Sequence, residues 1–325
     1  MEDMARLKSL RGERILVTGG TGFVGSHLTE ALVKRGAQVV VPFRSIDPRS
    51  YFSIQNLNKN VVMAVGDLKD YTRVFDIVTK YEISYIFHLA AQPIVTTAYI
   101  NPLETIATNV MATANILEAA RMSHVKGVVV TSSDKAYGKS DKQYVESHPL
   151  RGDHPYEASK SAADILAQAY IKTYRLPVVI TRFGNIYGPG DLNFSRIIPG
   201  IMQAILKKEV LPIRSDGTFV RDYVYVGDIV SAYLWILDHF DVACGEALNV
   251  ASDTTVSVLE LIKKSKKILK KSIPFHIENS QVNEIRYQHL SYDKIKKLGW
   301  SPIYSLRRGL TQTYTWYRHN KHIIK

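Results

Sequence analysis

One cysteine, Cys244, occurs in 325 residues, which excludes a disulfide framework within the chain and predicts a reducing compartment. No apolar run reaches the length of a membrane span. The first residues, MEDMARLKSLRGER, are charged and lack an apolar core, so no signal peptide is expected and the location predicted is the cytoplasm. Internal repeats and low-complexity linkers are missing as well. Aromatic residues are absent from the lysine run KKSKKILKK, Lys263 to Lys271, which holds much of the net charge of +12. Without rings to stack on bases the run argues against nucleic acid. Val258, Leu261, Ile262, Ile268 and Leu269 recur there at helical spacing, so the lysines read as the solvated face of an amphipathic helix. No metal site and no membrane insertion are expected.

What is present is an ordinary globular balance, 46% hydrophobic and 22% charged, in a chain long enough to bury a sizeable core. Short apolar runs, RILVTGG, QVVVPF, NVVMAVG, YIFHLA, GVVVTSS and PVVITRFG, alternate with longer amphipathic stretches. Near-continuous apolar strands are those of a parallel sheet covered on both faces, and the rhythm predicts an α/β doubly wound parallel sheet of the Rossmann type. Beyond Arg182 prolines and glycines loosen the rhythm, and GEALNV supplies one more strand. The predicted division is a dinucleotide-binding domain over 13–183 and 222–250, with a smaller C-terminal substrate-binding lobe over 184–221 and 251–325.

The segment ILVTGGTGFVGSHLTEALVKRG places Gly19, Gly22 and Gly25 between a strand and a helix. Small residues there allow a tight turn, let backbone amides approach a pyrophosphate, and aim a helix N-terminus at it. Further on, HPYEASKSAADILAQAY puts Tyr156 and Lys160 four residues apart, on one helix face. An ammonium near a phenol favours the phenolate, which can take a proton from a hydroxyl while hydride leaves the same carbon. The strand end TSSDKAYG then sets Ser133, Asp134 and Lys135 side by side where α/β proteins keep their chemistry.

The Gly-x-x-Gly-x-x-Gly spacing in TGGTGFVG, followed in order by GDL at Gly66, HLAA at His88 and TNV at Thr108, resembles the extended short-chain dehydrogenase/reductase family over almost the whole chain. That resemblance implies a bound NAD contacted by Gly19, Thr21, Gly22, Phe23, Val24, Arg44, Asp67, Leu68, Leu89, Ala90, Ala91 and Thr108, with Asp67 at the adenine, and by the catalytic pair Tyr156 and Lys160. NADP is the alternative, because VVVPFRSID carries Arg44 before Asp47 at the end of the second strand. The family also implies a homodimer built on the helices after Asn101 and around Tyr156 to Tyr174.

Within the family, an Asp-Lys pair after the serine resembles the CDP-glucose 4,6-dehydratases, as does HLAAQPIVTTAYINPLETIATNV. The expected substrate is a nucleotide sugar, and the expected reaction a 4,6-dehydration with Ser133, Asp134, Lys135, Tyr156 and Lys160 catalytic. Once carbon-4 is a ketone, losing water needs a base at carbon-5 and an acid at the carbon-6 hydroxyl. Lys135 and Asp134 fill those roles, and Lys135 must then be uncharged part of the time. A 4-epimerase of the same fold, with the pair incidental, is the competing reading; a non-catalytic interaction protein is the third. Gln92, Asn185, Arg196 and Arg221 are the expected substrate ligands, since guanidinium groups pair with phosphate oxygens. VRDYVYVGDIVSAY has the general form of sugar epimerases and dehydratases without the tryptophan of the CDP-glucose enzymes, so cytosine, uracil, thymine and guanine all stay open.

Overall fold

Alternation along single strands explains the architecture. In a computed structural model, which describes residues 9–280 and 285–324, β1 (Arg14–Thr18) sends Ile15 and Val17 into one apolar layer and Leu16 into the opposite one. β2 (Gln38–Phe43) does the same with Val39 and Val41 against Val40. Such strands need cover on both sides. β3 (Val62–Val65), β4 (Tyr85–His88), β5 (Gly127–Thr131), β6 (Val178–Phe183) and, much later, β10 (Ala247–Val250) complete a seven-stranded sheet. The order is β10-β6-β5-β4-β1-β2-β3, every pair parallel. This is the doubly wound sheet expected from the sequence. Strand order reverses between β1 and β4, and ligands of such sheets bind beyond the strand ends at that reversal.

The helix Phe23–Lys34 covers one face together with Val226–Asp238, through Leu28, Leu32, Ile229 and Tyr233. The opposite face is covered by Tyr71–Lys80, Ala112–Met122 and Pro155–Tyr174, through Val74, Ile77, Ile116, Leu117 and Ala167. The stretch from Leu103 to Met122, read as one helix, contains a wider π turn at Ala107–Met111. A third apolar cluster holds the smaller lobe. There β7 (Asn185–Tyr187), β9 (Val220–Tyr225) and β11 (Thr255–Ser257) form a three-stranded sheet, and β8 (Leu211–Ile213) pairs with β12 (Phe275–Ile277).

The predicted domain limits need two changes. Residues from Asp222 to Tyr225, assigned to the large sheet, belong to β9 of the small one. The strand sits between two cores, Tyr223 and Tyr225 facing the lobe and Val224 the large sheet. Conversely Ile295 and Trp300 of the tail pack beneath the large sheet. The basic helix forms over Val258–Leu269 with a Ser257/Glu260 capping box. The first eight residues of the leader reading, and 281–284 of the lobe, lie outside the described residues.

Candidate active site

Every strand of the sheet that carries a sequence motif delivers it at its C-terminal end, and these ends line one cleft of 1390 Å³. At the end of β1 the glycines are required by close approach. Gly19 has φ +68, and a Cβ on it would lie 2.9 Å from the amide nitrogen of Ala90. A Cβ on Gly25 would lie 2.1 Å from the carbonyl oxygen of Gly19. Gly22 precedes the helix Phe23–Lys34 without a side-chain cap, and no acidic residue occupies its first turn. Unfilled amides and the helix dipole therefore face the cleft, a donor set suited to a pyrophosphate. Thr21, Phe23 and Val24 line the same wall.

The HLAA strand end is tied down by a buried chain of hydrogen bonds. Thr18 Oγ1 lies 2.8 Å from His88 Nδ1, and His88 Nε2 lies 3.0 Å from Thr113 Oγ1. Burial pushes His88 down to about 3, so the imidazole is a neutral strut. The amide of Ala90 donates to Thr18 Oγ1, and Leu89, Ala90 and Ala91 line the cleft. Farther along, Asp67 accepts from the amide of Lys69 at 3.0 Å and pairs with Arg44 at 3.4 Å. Arg44 also reaches Glu104 at 3.7 Å. Leu68 and Thr108 complete this end, Thr108 Oγ1 donating to Glu104.

Deeper in the cleft, β5 ends at Thr131 and the chain turns through Asp134–Tyr137. Ser133 Oγ accepts from the amide of Lys135 at 3.2 Å and donates to Asp134 Oδ1 at 3.0 Å. Burial pushes the Asp134 carboxyl up, while Lys135 and Ser133 pull it back only in part. Tyr156 and Lys160 come from the first turns of Pro155–Tyr174. Tyr156 is pushed up to about 12 by burial, against the pull of Arg196 and Ser133. Lys160 Nζ donates to the carbonyl of Thr131 at 3.0 Å, and burial brings it down to about 8. The expected phenolate therefore does not follow from Lys160 in the protein by itself: desolvation outweighs charge proximity and holds the phenol neutral.

Of the expected substrate ligands, Asn185, Arg196 and Arg221 face the cleft. Asn185 Nδ2 is buried and has no partner among the described residues, an open donor. Arg196 precedes the helix Ile197–Lys207 and pairs with the buried Asp191 at 3.1 Å. Arg221, on β9, donates to the carbonyls of Val220 and Arg286 at 2.8 and 3.2 Å. Gln92 is the exception. Its amide nitrogen donates to Ile94 O and Thr105 Oγ1, and Asn109 clasps its backbone, so the side chain secures the π turn and is not among the cleft-lining groups. Sequence reasoning missed His88, Asp191 and Gln288, whose Oε1 accepts from Lys135 Nζ at 3.2 Å. The Ser-Asp-Lys triplet announced the turn, but nothing local announced a partner 153 residues away.

Residues 15–251 match the model of the NAD dependent epimerase/dehydratase family. The chain belongs to this family. The dTDP-D-glucose 4,6-dehydratase of Bos taurus is 31% identical over 95% of this chain and 90% of its own length. The low-salt glycan biosynthesis protein Agl12 of Haloferax volcanii is 32% identical over 93% of this chain and 98% of its own. Among solved structures, the UDP-glucose 4-epimerase of Thermotoga maritima with UDP-glucose superposes with a TM-score of 0.87 at 30% identity, covering 95% of this chain and 99% of that one. The dTDP-glucose 4,6-dehydratase of Bacillus anthracis in complex with NAD gives 0.84 at 27% identity, covering 97% and 100%. Within the NAD dependent epimerase/dehydratase family the chain is an enzyme of the nucleotide-sugar 4,6-dehydratase and epimerase group, and its cofactor is NAD. The glycine cradle that a Cβ would fill and the uncapped helix start fit that group. No helix among the described residues is long and apolar enough to cross a membrane.

Proposed function

We propose that the protein is a nucleotide-sugar 4,6-dehydratase. The observation that carries this reading is the acid–base pair Asp134 and Lys135 in the same cleft as Ser133 and Tyr156. Epimerisation at carbon-4 needs the tyrosine but has no use for a second acid and base. Elimination of water needs both. A buried carboxyl whose proton is held more tightly than usual is suited to give it to a leaving hydroxyl.

Bound NAD supplies the hydride acceptor for carbon-4 and the hydride donor for carbon-6. Tyr156, beside Ser133, takes the proton of the carbon-4 hydroxyl as a phenolate, a form that burial alone disfavours and that the positive charge of a nicotinamide bound beside it would favour. Lys135 takes the carbon-5 proton, and Asp134 gives its proton to the carbon-6 hydroxyl as the C–O bond breaks, releasing water. As hydride reaches carbon-6 the carbon-5 proton returns from Lys135, and the proton that Tyr156 took from the carbon-4 hydroxyl passes to Asp134, so the sugar loses one water and the protein ends as it began. Asn185, Arg196 and Arg221 hold the sugar diphosphate, guanidinium groups being suited to paired contacts with phosphate oxygens.

The Asp-Lys order is the feature shared with the CDP-glucose enzymes, and it favours CDP-glucose; the two dehydratases and the epimerase named above carry dTDP-glucose or UDP-glucose in their names. Incubating the protein and NAD with CDP-, dTDP-, UDP- and GDP-hexoses, followed by mass spectrometry and NMR, tests both points. Loss of water with a carbon-6 methyl is expected from one member. Unchanged mass with carbon-4 inverted would mean a 4-epimerase. A non-catalytic role predicts that Tyr156→Phe changes nothing.

A homodimer belongs to the same proposal. Leu103 is 76% exposed, and Met111, Ile165 and Tyr174 are also exposed, on the helices the family resemblance implicates, with Ile100, 85% exposed, just before them. Such a concentration of exposed apolar side chains supports an interface there. The lone Cys244 supports a reducing, cytoplasmic setting.

A further inference from the structure

Gln288 is 1% exposed and sits in the segment that runs from Ile285 to Ser291 beside the catalytic turn. Its backbone is fixed from both sides. The amide of Gln288 donates to Val220 O at 3.1 Å, and the amide of Tyr144 donates to His289 O at 2.8 Å. Asp222 of β9 accepts from the amide of Leu290 and lies 2.9 Å from His289 Nδ1. The side chain thus has a defined direction, and it points its oxygen at Lys135 Nζ, 3.2 Å away. Its Nε2, buried, has no partner among the described residues. In this orientation the amide oxygen receives an N–H of Lys135, which the amide NH2 could not do. A buried amide with one end idle is costly as mere packing. Its working end touches the group to which the proposed function gives the carbon-5 proton.

We infer that Gln288 is a positioning residue that aims Lys135 at carbon-5 of the sugar through a neutral acceptor. This inference rests on the dehydratase reading. A carboxylate in its place would hold the lysine as ammonium and oppose its service as a base. An amide oxygen orients the amine without that charge. In the step concerned, the C5–H bond breaks, its electron pair passes into the enolate of the carbon-4 ketone, and the proton goes to the uncharged amine of Lys135. A lysine has four rotatable bonds, and Gln288 fixes the reach of this one to the substrate side of the cleft. Lys160, which serves the earlier step at carbon-4, donates instead to the carbonyl of Thr131.

The experiment compares the parent protein with Gln288→Met, which keeps the length and removes the oxygen, and Gln288→Glu, which keeps the oxygen and adds charge. Each is given NAD and the sugar nucleotide that the parent turns over, in deuterated water. In Gln288→Met the rate of water loss should fall about tenfold or more, with KM within about twofold, since a misplaced base loses part of a contribution worth 10²–10⁴-fold. Deuterium entry at carbon-5 should fall with it, while reduced nicotinamide, seen by its near-ultraviolet absorbance, should build up because the carbon-4 step is untouched. Gln288→Glu should fold like the parent and show the same accumulation at neutral pH. Unchanged water loss in both variants would overturn the inference alone. Equal loss of nicotinamide reduction and of water release would make Gln288 a purely structural residue and would overturn it too. If the parent loses no water from any sugar nucleotide, the dehydratase reading falls first and takes the inference with it.

Discussion

Lys160 Nζ donates to the carbonyl oxygen of Thr131 across 3.0 Å, tying the helix that carries Tyr156 to the strand that leads into Ser133. The bond fixes the relative position of two segments that must act on one sugar carbon. It also keeps an ammonium in a fully buried place, and the two consequences can be measured separately.

The first concerns stability. Burial lowers Lys160 from its ordinary 10.5 to about 8. Between those values the unfolded chain binds the proton that the folded protein has released, so stability rises with pH through this window. Below pH 8 the folded protein carries the full cost of the buried charge, on the order of 3 kcal/mol at 1.36 kcal/mol per unit. Lys160→Met should lose this rise, and the difference in unfolding free energy between the two proteins should shrink from pH 8 to 10.5. Denaturant titrations of the cofactor-free proteins at several pH values check it. The same variant should lose sugar turnover by about 10²-fold or more.

Asp134 gives the opposite sign. Its carboxyl is raised by burial, so the folded protein holds the proton at pH values where the unfolded chain has lost it. The stability due to this group is full below the ordinary value of 3.8 and is lost as pH rises through the folded one. Asp134→Asn should therefore melt higher than the parent at neutral pH, by roughly 2–4 °C, with the gap closing near pH 4. Water loss from the sugar should stop, and reduced nicotinamide should persist after substrate is added. Melting curves and absorbance read the two effects independently, and a lower melting point at neutral pH would contradict the burial argument.

How much of this was legible in the sequence follows from the range of the interactions. Strand motifs such as VVVPF and VKGVVV carry their burial in their own composition, because a strand covered on both faces is apolar throughout. TGGTGFVG is legible because its constraint is local: Gly25 meets Gly19 only six positions back. Gln92 was placed among the substrate ligands on its neighbours, yet its side chain bonds Thr105 in the helix before the π turn and its backbone is held by Asn109 within that turn, which no periodicity announces. Tyr156 and Lys160 were found as a pair, but the force that dominates each is desolvation, which depends on the whole fold. Gln288 was out of reach for the same reason, its contact with Lys135 being made by the return of the tail across the lobe.

Arg44 bears on the choice of dinucleotide. An arginine at the end of β2 would suit a 2′-phosphate if it were unengaged, but this one pairs with Asp67 at 3.4 Å and Glu104 at 3.7 Å. If the adenosine end lies here, as the family resemblance implies, the two carboxylates would disfavour an added phosphate. NAD should bind at least about tenfold more tightly than NADP, or 1.4 kcal/mol. Glu104→Gln should narrow that ratio a few-fold by releasing Arg44, while leaving NAD affinity near its parent value. Calorimetric titration of both nucleotides checks it, and a ratio that widens would remove Glu104 from the account.

The glycine turn offers the sharpest structural test. Gly25 lies in the first turn of the helix Phe23–Lys34, where alanine is ordinarily the better helix former. Helix propensity alone therefore predicts that Gly25→Ala stabilises the protein by up to about 1 kcal/mol. Packing predicts the reverse, since the added methyl would meet the Gly19 carbonyl oxygen at 2.1 Å and its carbon at 2.7 Å, and both contacts are backbone. Backbone cannot swing aside as a side chain does, so the helix must move away from β1. Overpacking of this kind costs about 1–3 kcal/mol. Gly19 in turn leaves no room for a side chain against the backbone of Ala90, where a Cβ would lie 2.9 Å from its nitrogen, so a displacement is passed to the β4 side of the cleft. Gly25→Ala should thus melt below the parent and bind NAD at least about tenfold more weakly, whereas a control change on the exposed side of the same helix, Lys34→Ala, should leave NAD binding unaltered.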